Sequence, residues 1–345
     1  MGNWVMLAAL VAGSLAAEPP HPRSKEDDAG RSVVSVGATA GAGWGTSTYG
    51  LLASQEVEGI PGDVVAESAL EWPMSGADLG FDVSWQAPRS SGHWGGWIRG
   101  RILVGSPLGR MIDEDWVTAK GLDLTRTKFS YTESRVDGGR FVGDAGFYLS
   151  RHPVGAIPSG GAWDFLFGYR HELVYLEAWG VEDGWQLEDV GKEAQVSLDP
   201  HVQAADFDGH HLYPYAGLLY RFRAGKRFRC DVRGVGTGFV AIETDDHVLR
   251  GKRMSGLAWG LGALVGIRPQ WVFEKERSKG KVPAVSIGVE LEAQYARTLA
   301  GTLKQEYYDD DPGVPGDQTG TEIPDSDYFA QVLRIGGDAF LAILF

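Results

Sequence analysis

Cysteine is almost absent: Cys230 stands alone, so no intrachain disulfide can form and no metal site built on paired cysteines is possible. A thiol nucleophile is not expected either, because Cys230 lies among Phe228, Val232 and Gly234 on a row that alternation turns toward lipid. Basic residues are also short, with 32 Lys and Arg against 46 Asp and Glu and a net charge of −14, which argues against a nucleic-acid backbone as partner and favours cationic ligands. Long apolar runs are missing as well. The longest, Trp4 to Ala17, falls short of the ~20 residues of a membrane helix. It suits a signal-peptide core with small residues Ser14, Ala16 and Ala17 at its end, although only the terminal amine supplies positive charge before it. Residues 1–17 are therefore expected to be a signal peptide and 18–31 a polar linker.

What is abundant is glycine, at 49 residues, together with 12 Trp, 12 Tyr and 14 Phe, a mixture typical of many strands with close backbone approaches. Strict alternation recurs from about residue 32 to the end. In "VSIGVELEAQYARTL", Val285, Ile287, Val289, Leu291 and Tyr295 share one face, opposite Ser286, Glu290, Glu292, Gln294 and Thr298. In "WDFLFGYRHELVY", Trp163, Phe165, Phe167 and Tyr169 oppose Asp164, Gly168, Arg170 and Glu172, and "LAWGLGALVGI" sets Leu257, Trp259, Leu261, Val265 and Ile267 against Gly260, Gly262 and Gly266. A soluble sandwich alternates too, but it turns its large apolar face to a core and its polar face to water. Charged residues beside glycine on one face and aromatics on the other fit a barrel with lipid outside and a polar lumen.

Pro, Gly and Asp clusters such as "ASQEVEGIPGD", "PVGAIPSGGA" and "YYDDDPGVPGDQTGTEIPDSD" divide the chain into about ten strands, an even number as bacterial barrels require. Several strands are nearly twice the ~9–11 residues that cross lipid, so the expected fold is an all-β, antiparallel transmembrane barrel over 32–345 that stands above the membrane on one side.

Two stretches can carry chemistry. Through "WIRGRILVGSPLGRMIDEDW", Arg99 and Arg101 face the lumen, and if register survives Gly105 and Pro107, Asp113 and Asp115 face it too while Glu114 faces out. Carboxylates at i and i+2 on a strand are ~7 Å apart at Cα and can share one water or cation. Taken alone, the stretch is more simply read as a solvated strand end. In "RFRCDVRGVGTGFVAIETDDHVLRGKR", Arg229, Asp231, Arg233, Thr237, Glu243, Asp245 and His247 form one polar row. An Asp beside a His can fix its tautomer and stabilise its protonated form, but a loop His with acidic neighbours is equally ordinary. A divalent ion on two Asp and a His is a third reading, weaker because zinc sites draw on more His or Cys and calcium sites on a denser oxygen loop. In an up-and-down barrel, strands three and seven both end on the same side, so "MIDEDW" and "ETDDH" are expected to face each other across the lumen.

At these residues the sequence resembles the omptins, outer-membrane endopeptidases of Gram-negative bacteria. The resemblance runs in order through "SALEW", "MIDEDW", "YTESR", "FGYRHE", "YPYAGL", "TDDH" followed by "GKR", and the closing Phe345. It implies an Asp pair at Asp113 and Asp115, an Asp-His pair at Asp245 and His247, and an aspartic-type hydrolase whose nucleophile is water and which needs no cofactor. It also implies an extracellular cleft, peptide substrates cut beside Lys or Arg, and Glu243 as a substrate-binding acid. The family's first-strand acid is replaced near Thr46 in "WGTSTY". Its lipopolysaccharide-holding motif, Tyr-x-Glu-x-Arg, is reduced here to Tyr169, with His171 and Leu173 in the other two places. A barrel of the same kind without turnover, serving as adhesin or structural protein, is the alternative. A lipid hydrolase would need a Ser-His arrangement at the strand tops, and none is found.

Overall fold

The computed structural model describes residues 33–56, 63–87, 94–119, 121, 124–150, 161–189, 192–225, 227–248, 251–273, 284–308 and 322–345. The expected signal peptide and linker lie outside them. The described residues form a single antiparallel sheet of thirteen strands, ten of whose staves close into a ring. The strands are β1 (Val33–Glu56), β2 (Asp63–Pro73), β3 (Ser75–Gln86), β4 (Trp94–Leu108), β5 (Arg110–Ala119), β6 (Leu124–Ser150) and β7 (Ala162–Asp189). The rest are β8 (Lys192–Gln195), β9 (Leu198–Ala224), β10 (Phe228–His247), β11 (Lys252–Phe273), β12 (Ala284–Tyr307) and β13 (Glu322–Leu344). Thirteen strands make ten staves because β2 with β3 and β4 with β5 are each one interrupted stave, and β8 is a short flap paired only to β7. Closure comes from β1, which pairs with β13 from Ser35↔Leu344 to Leu52↔Asp327. The structure therefore has the transmembrane barrel that the alternation predicts.

The alternating rows fall as their chemistry requires. Val285, Ile287, Val289, Leu291 and Tyr295 are exposed on the outer face of β12, and Ser286, Glu290, Glu292 and Gln294 are buried within. The outer apolar belt ends at a common level. On β1 the outward row passes from Ala38, Ala40, Ala42 and Trp44 to Thr46 and Thr48, and on β10 from Val240 and Ile242 to Thr244 and Asp246. Beyond that level the strand ends continue with polar residues on the outer face. Cys230 is on the outward row yet only 2% exposed, beside an aromatic cluster in which Phe222 and Trp271 both pack on Phe228.

At belt depth the lumen is filled by ion pairs. Arg170 contacts Glu292 at 2.5 Å and Asp144 at 3.0 Å, Arg99 bridges Asp82 and Glu290 at 2.7 and 2.8 Å, and Arg140 and Arg334 share Asp78 at 2.9 and 3.1 Å. Buried guanidinium groups suit this setting because each presents several donors to more than one carboxylate. Above this layer lies an apolar and aromatic one that includes Tyr49, Trp72, Met111, Phe207, Tyr213, Phe239, Met254 and Tyr328. The candidate site rests on it.

Candidate active site

Asp113 and Asp115 reach the lumen because the interruption between β4 and β5 preserves phase. Ala77 faces Val104 before the break and Ser75 faces Leu108 after it, so β4 uses four residues where β3 uses two. The other neighbour agrees: from Ile102↔Phe141 to Arg110↔Arg135, β4 and β5 advance eight positions against six on β6. Two extra residues are an even number, so odd positions face inward again. Gly105 and Gly109 accommodate them with φ of +78° and +131°, a backbone open to glycine at little cost.

Above the break Asp113 faces Leu70, and Leu70 faces Tyr49, so the three form one rung across β5, β2 and β1. Asp115 is two residues higher and accepts a 2.5 Å hydrogen bond from Ser130 Oγ. Glu114 points outward, as expected, and is paired with Lys128. Trp116 shares that outward face, with the Arg126 guanidinium 4.4 Å from its ring centroid.

The other wall is β9, β10 and β11. Asp245 faces Phe207 on β9 and Met254 on β11. His247 Nε2 lies 2.6 Å from Asp245 Oδ2, an ion-pairing distance when the imidazole is protonated. Glu243 is two residues deeper, 3% exposed, at the level where the outer belt ends.

Tyr49 joins the two walls. Its ring stacks on Phe207 at 5.3 Å, and Trp72 stacks on the same Phe207 at 5.4 Å. The phenol is held well above its usual range by burial first, then by the facing Asp245 carboxylate, with Glu243 and Asp113 adding to it. The ring thus links the two walls, the rung of Asp113 on one side and Phe207, the register partner of Asp245, on the other. The sequence reading put the first-strand substitution near Thr46. Parity corrects this: Thr46 shares the outward row with Trp44, and the β1 residue that faces the site is Tyr49. Alternation along "WGTSTYG" signals Tyr49's inward side, but its reach to Phe207 depends on barrel curvature.

His211 was not anticipated either. Its Nε2 is 2.5 Å from Glu243 Oε1, so the acid expected to meet a substrate cation already has a partner. Alternation in "DGHHLYPYAG" puts His211 inward with Phe207 and Tyr213, while its pairing with Glu243 follows from register: His211 faces Ala241, which makes Glu243 its diagonal neighbour. Among the described residues no group of three or more His, Cys, Asp or Glu is arranged to hold a metal ion. On the outer face, Tyr169 and His171 are adjacent, and His171 packs against His210 with ring centroids 5.5 Å apart.

No family model matches the sequence, and no curated protein matches it. Among solved structures, the crystal structure of the outer membrane protease OmpT from Escherichia coli superposes with a TM-score of 0.69 at 14% identity, covering 91% of this chain and 97% of that one. Outer-membrane expressed OmpT of Vibrio cholerae, at 8% identity and covering 88% of this chain and 98% of its own, superposes at a TM-score of only 0.13, too low for shared architecture to be read from it. The high-scoring likeness is one of architecture, and on it this chain has an omptin-like fold.

Proposed function

We propose that the protein is an outer-membrane endopeptidase of omptin type, with its cleft on the extracellular side. Asp245 orients His247, and His247 acts as general base on a water that Asp113 and Asp115 bind and polarise as it attacks the peptide carbonyl. The proton passes from water to His247 and then to the departing amine. No atom of the protein is acylated, so this is a direct hydrolysis on paired carboxylates and an Asp-His couple.

The observation that carries the reading is geometric: Tyr49, on the rung of Asp113, stacks at 5.3 Å on Phe207, which faces Asp245, and Asp245 Oδ2 lies 2.6 Å from His247 Nε2. The acidic character of the chain, with its net charge of −14, draws cationic peptides toward the barrel mouth, an effect that weakens as salt rises. The surrounding lipid of the outer membrane is the other partner, with Tyr169 and His171 on the surface where a lipopolysaccharide would lie.

The test uses the full chain refolded with lipopolysaccharide and a panel of quenched peptides. Wild type should cleave internal bonds, and Asp113→Asn and His247→Ala should each lower kcat by about 10²–10⁴ while the barrel stays folded. If wild type cuts nothing, or if both variants turn over like wild type, the hydrolytic reading is wrong and a barrel without turnover takes its place.

A further inference from the structure

Glu243 is the acid that the resemblance implies would read a basic side chain, and its surroundings say what it meets instead. His211 and Glu243 are 0% and 3% exposed, so neither is dissolved in water. The imidazole is fixed by edge contacts to Phe239 at 5.7 Å and Tyr213 at 6.4 Å. Glu172, the register partner of His211 on β7, is served by other cations: Arg140 Nε is 3.6 Å away and Arg334 Nη1 3.8 Å. Asp245 lies against His247, 2.6 Å away. Among the described residues, Glu243 has His211 alone within ion-pairing distance, and the two form an ion pair when the imidazole is protonated.

We propose that His211 takes the place against Glu243 that a substrate Lys or Arg would otherwise fill, so that the floor of the cleft is electrically neutral and the bond cut is flanked by an uncharged residue. This rests on the endopeptidase reading and deepens it. A carboxylate sharing a proton with an imidazole carries no net charge as a pair, and an arriving ammonium or guanidinium would be desolvated beside a competing cation. Long-range attraction of cationic peptides and local choice at the scissile bond are then separate properties. The first follows from the charge of the whole chain, the second from one histidine.

The experiment compares kcat/KM for matched peptides carrying Lys or Leu at the cut position. In wild type the Lys:Leu ratio should be near or below one. His211→Gln removes the competing cation and His211→Phe keeps the aromatic packing, and each should raise the ratio about tenfold, the scale of one desolvated charge-assisted contact. Adding Glu243→Gln to either should bring the ratio back. Glu243→Gln alone should leave the wild-type ratio within about twofold. A ratio unmoved by both His211 variants, or a selective tenfold loss on Lys peptides in Glu243→Gln, overturns the proposal. Benzamidine binding to the same proteins by calorimetry provides a readout that needs no turnover. Should wild type cleave no peptide, the hydrolytic reading falls, while benzamidine binding about tenfold tighter in His211→Gln and not in the double variant still upholds His211 as the counter-ion. Equal benzamidine affinity in all of them refutes it.

Discussion

Replacing Tyr49 by Phe isolates one atom at the point where the two walls meet. The ring is 2% exposed, so water cannot take over when its hydroxyl is removed, and a phenylalanine retains the 5.3 Å stack on Phe207. What disappears is the hydroxyl on which the Asp245 carboxylate acts, the group proposed to orient His247. A hydrogen bond made by this hydroxyl to the charged carboxylate during turnover would be worth about 1.5–3 kcal/mol, so its loss corresponds to a fall of about 10- to 150-fold in kcat. KM should change little, because Tyr49 belongs to the buried aromatic layer beneath the proposed site. Initial rates on the best peptide would measure both constants, with the change in gel mobility on heating and far-ultraviolet circular dichroism reporting an intact barrel. A variant that is folded and retains kcat within about twofold would refute the reasoning, and would mean that Asp245 is held by the strand alone.

Three further outcomes follow from other parts of the molecule. Asp206 lies above the belt, where burial foremost, then Asp246 and Asp245, raise its carboxyl from 3.8 to about 6. The native state therefore binds this proton more tightly than the unfolded chain, a contribution fully present below about 3.8 and lost as pH rises through about 6. Relative to Asp206→Asn, wild-type stability measured by urea titration should fall across that window, and a flat difference would exclude the effect. Arg170→Met leaves Asp144 and Glu292 to Arg233, and breaking such a buried pair should cost about 3–5 kcal/mol in urea unfolding followed by Trp fluorescence; a loss below ~1 kcal/mol would show that Arg233 balances both acids. Leu261 is 62% exposed within the apolar belt, so Leu261→Arg should lower stability in lipid vesicles by about 2–4 kcal/mol at mid-depth, and a neutral result would place the belt elsewhere.

The barrel was legible because strand alternation is a local property. Glu290 and Glu292 between Val289, Leu291 and Ala293 need no partner to announce which side they face, since a period of two assigns sides residue by residue. The same rule placed Asp113, Asp115, Glu243, Asp245 and His247 on the inner face, and the order of turns placed both groups at one end. Even the passage of "VGSPLGRM" came out in phase, although the sequence could not count the two extra residues there, because an even insertion is invisible to parity.

What only the tertiary structure decided is who meets whom across the lumen. Thr46 and Tyr49 are three residues apart, so parity alone turns them to opposite faces, while the partners Tyr49 meets were decided by how β1 sits between β2 and β13. Tyr49 reaches Phe207 through curvature, and His211 reaches Glu243 because β9 and β10 pair in one register and not the next. A shift of two in that register would keep every side chain on its face and yet give Glu243 a different partner. The sequence alone therefore determined the barrel, its polar lumen and the acids at its mouth, through a pattern that each strand carries by itself. Their pairing, and with it the charge left for a substrate to meet, depends on distances between strands that no single strand encodes.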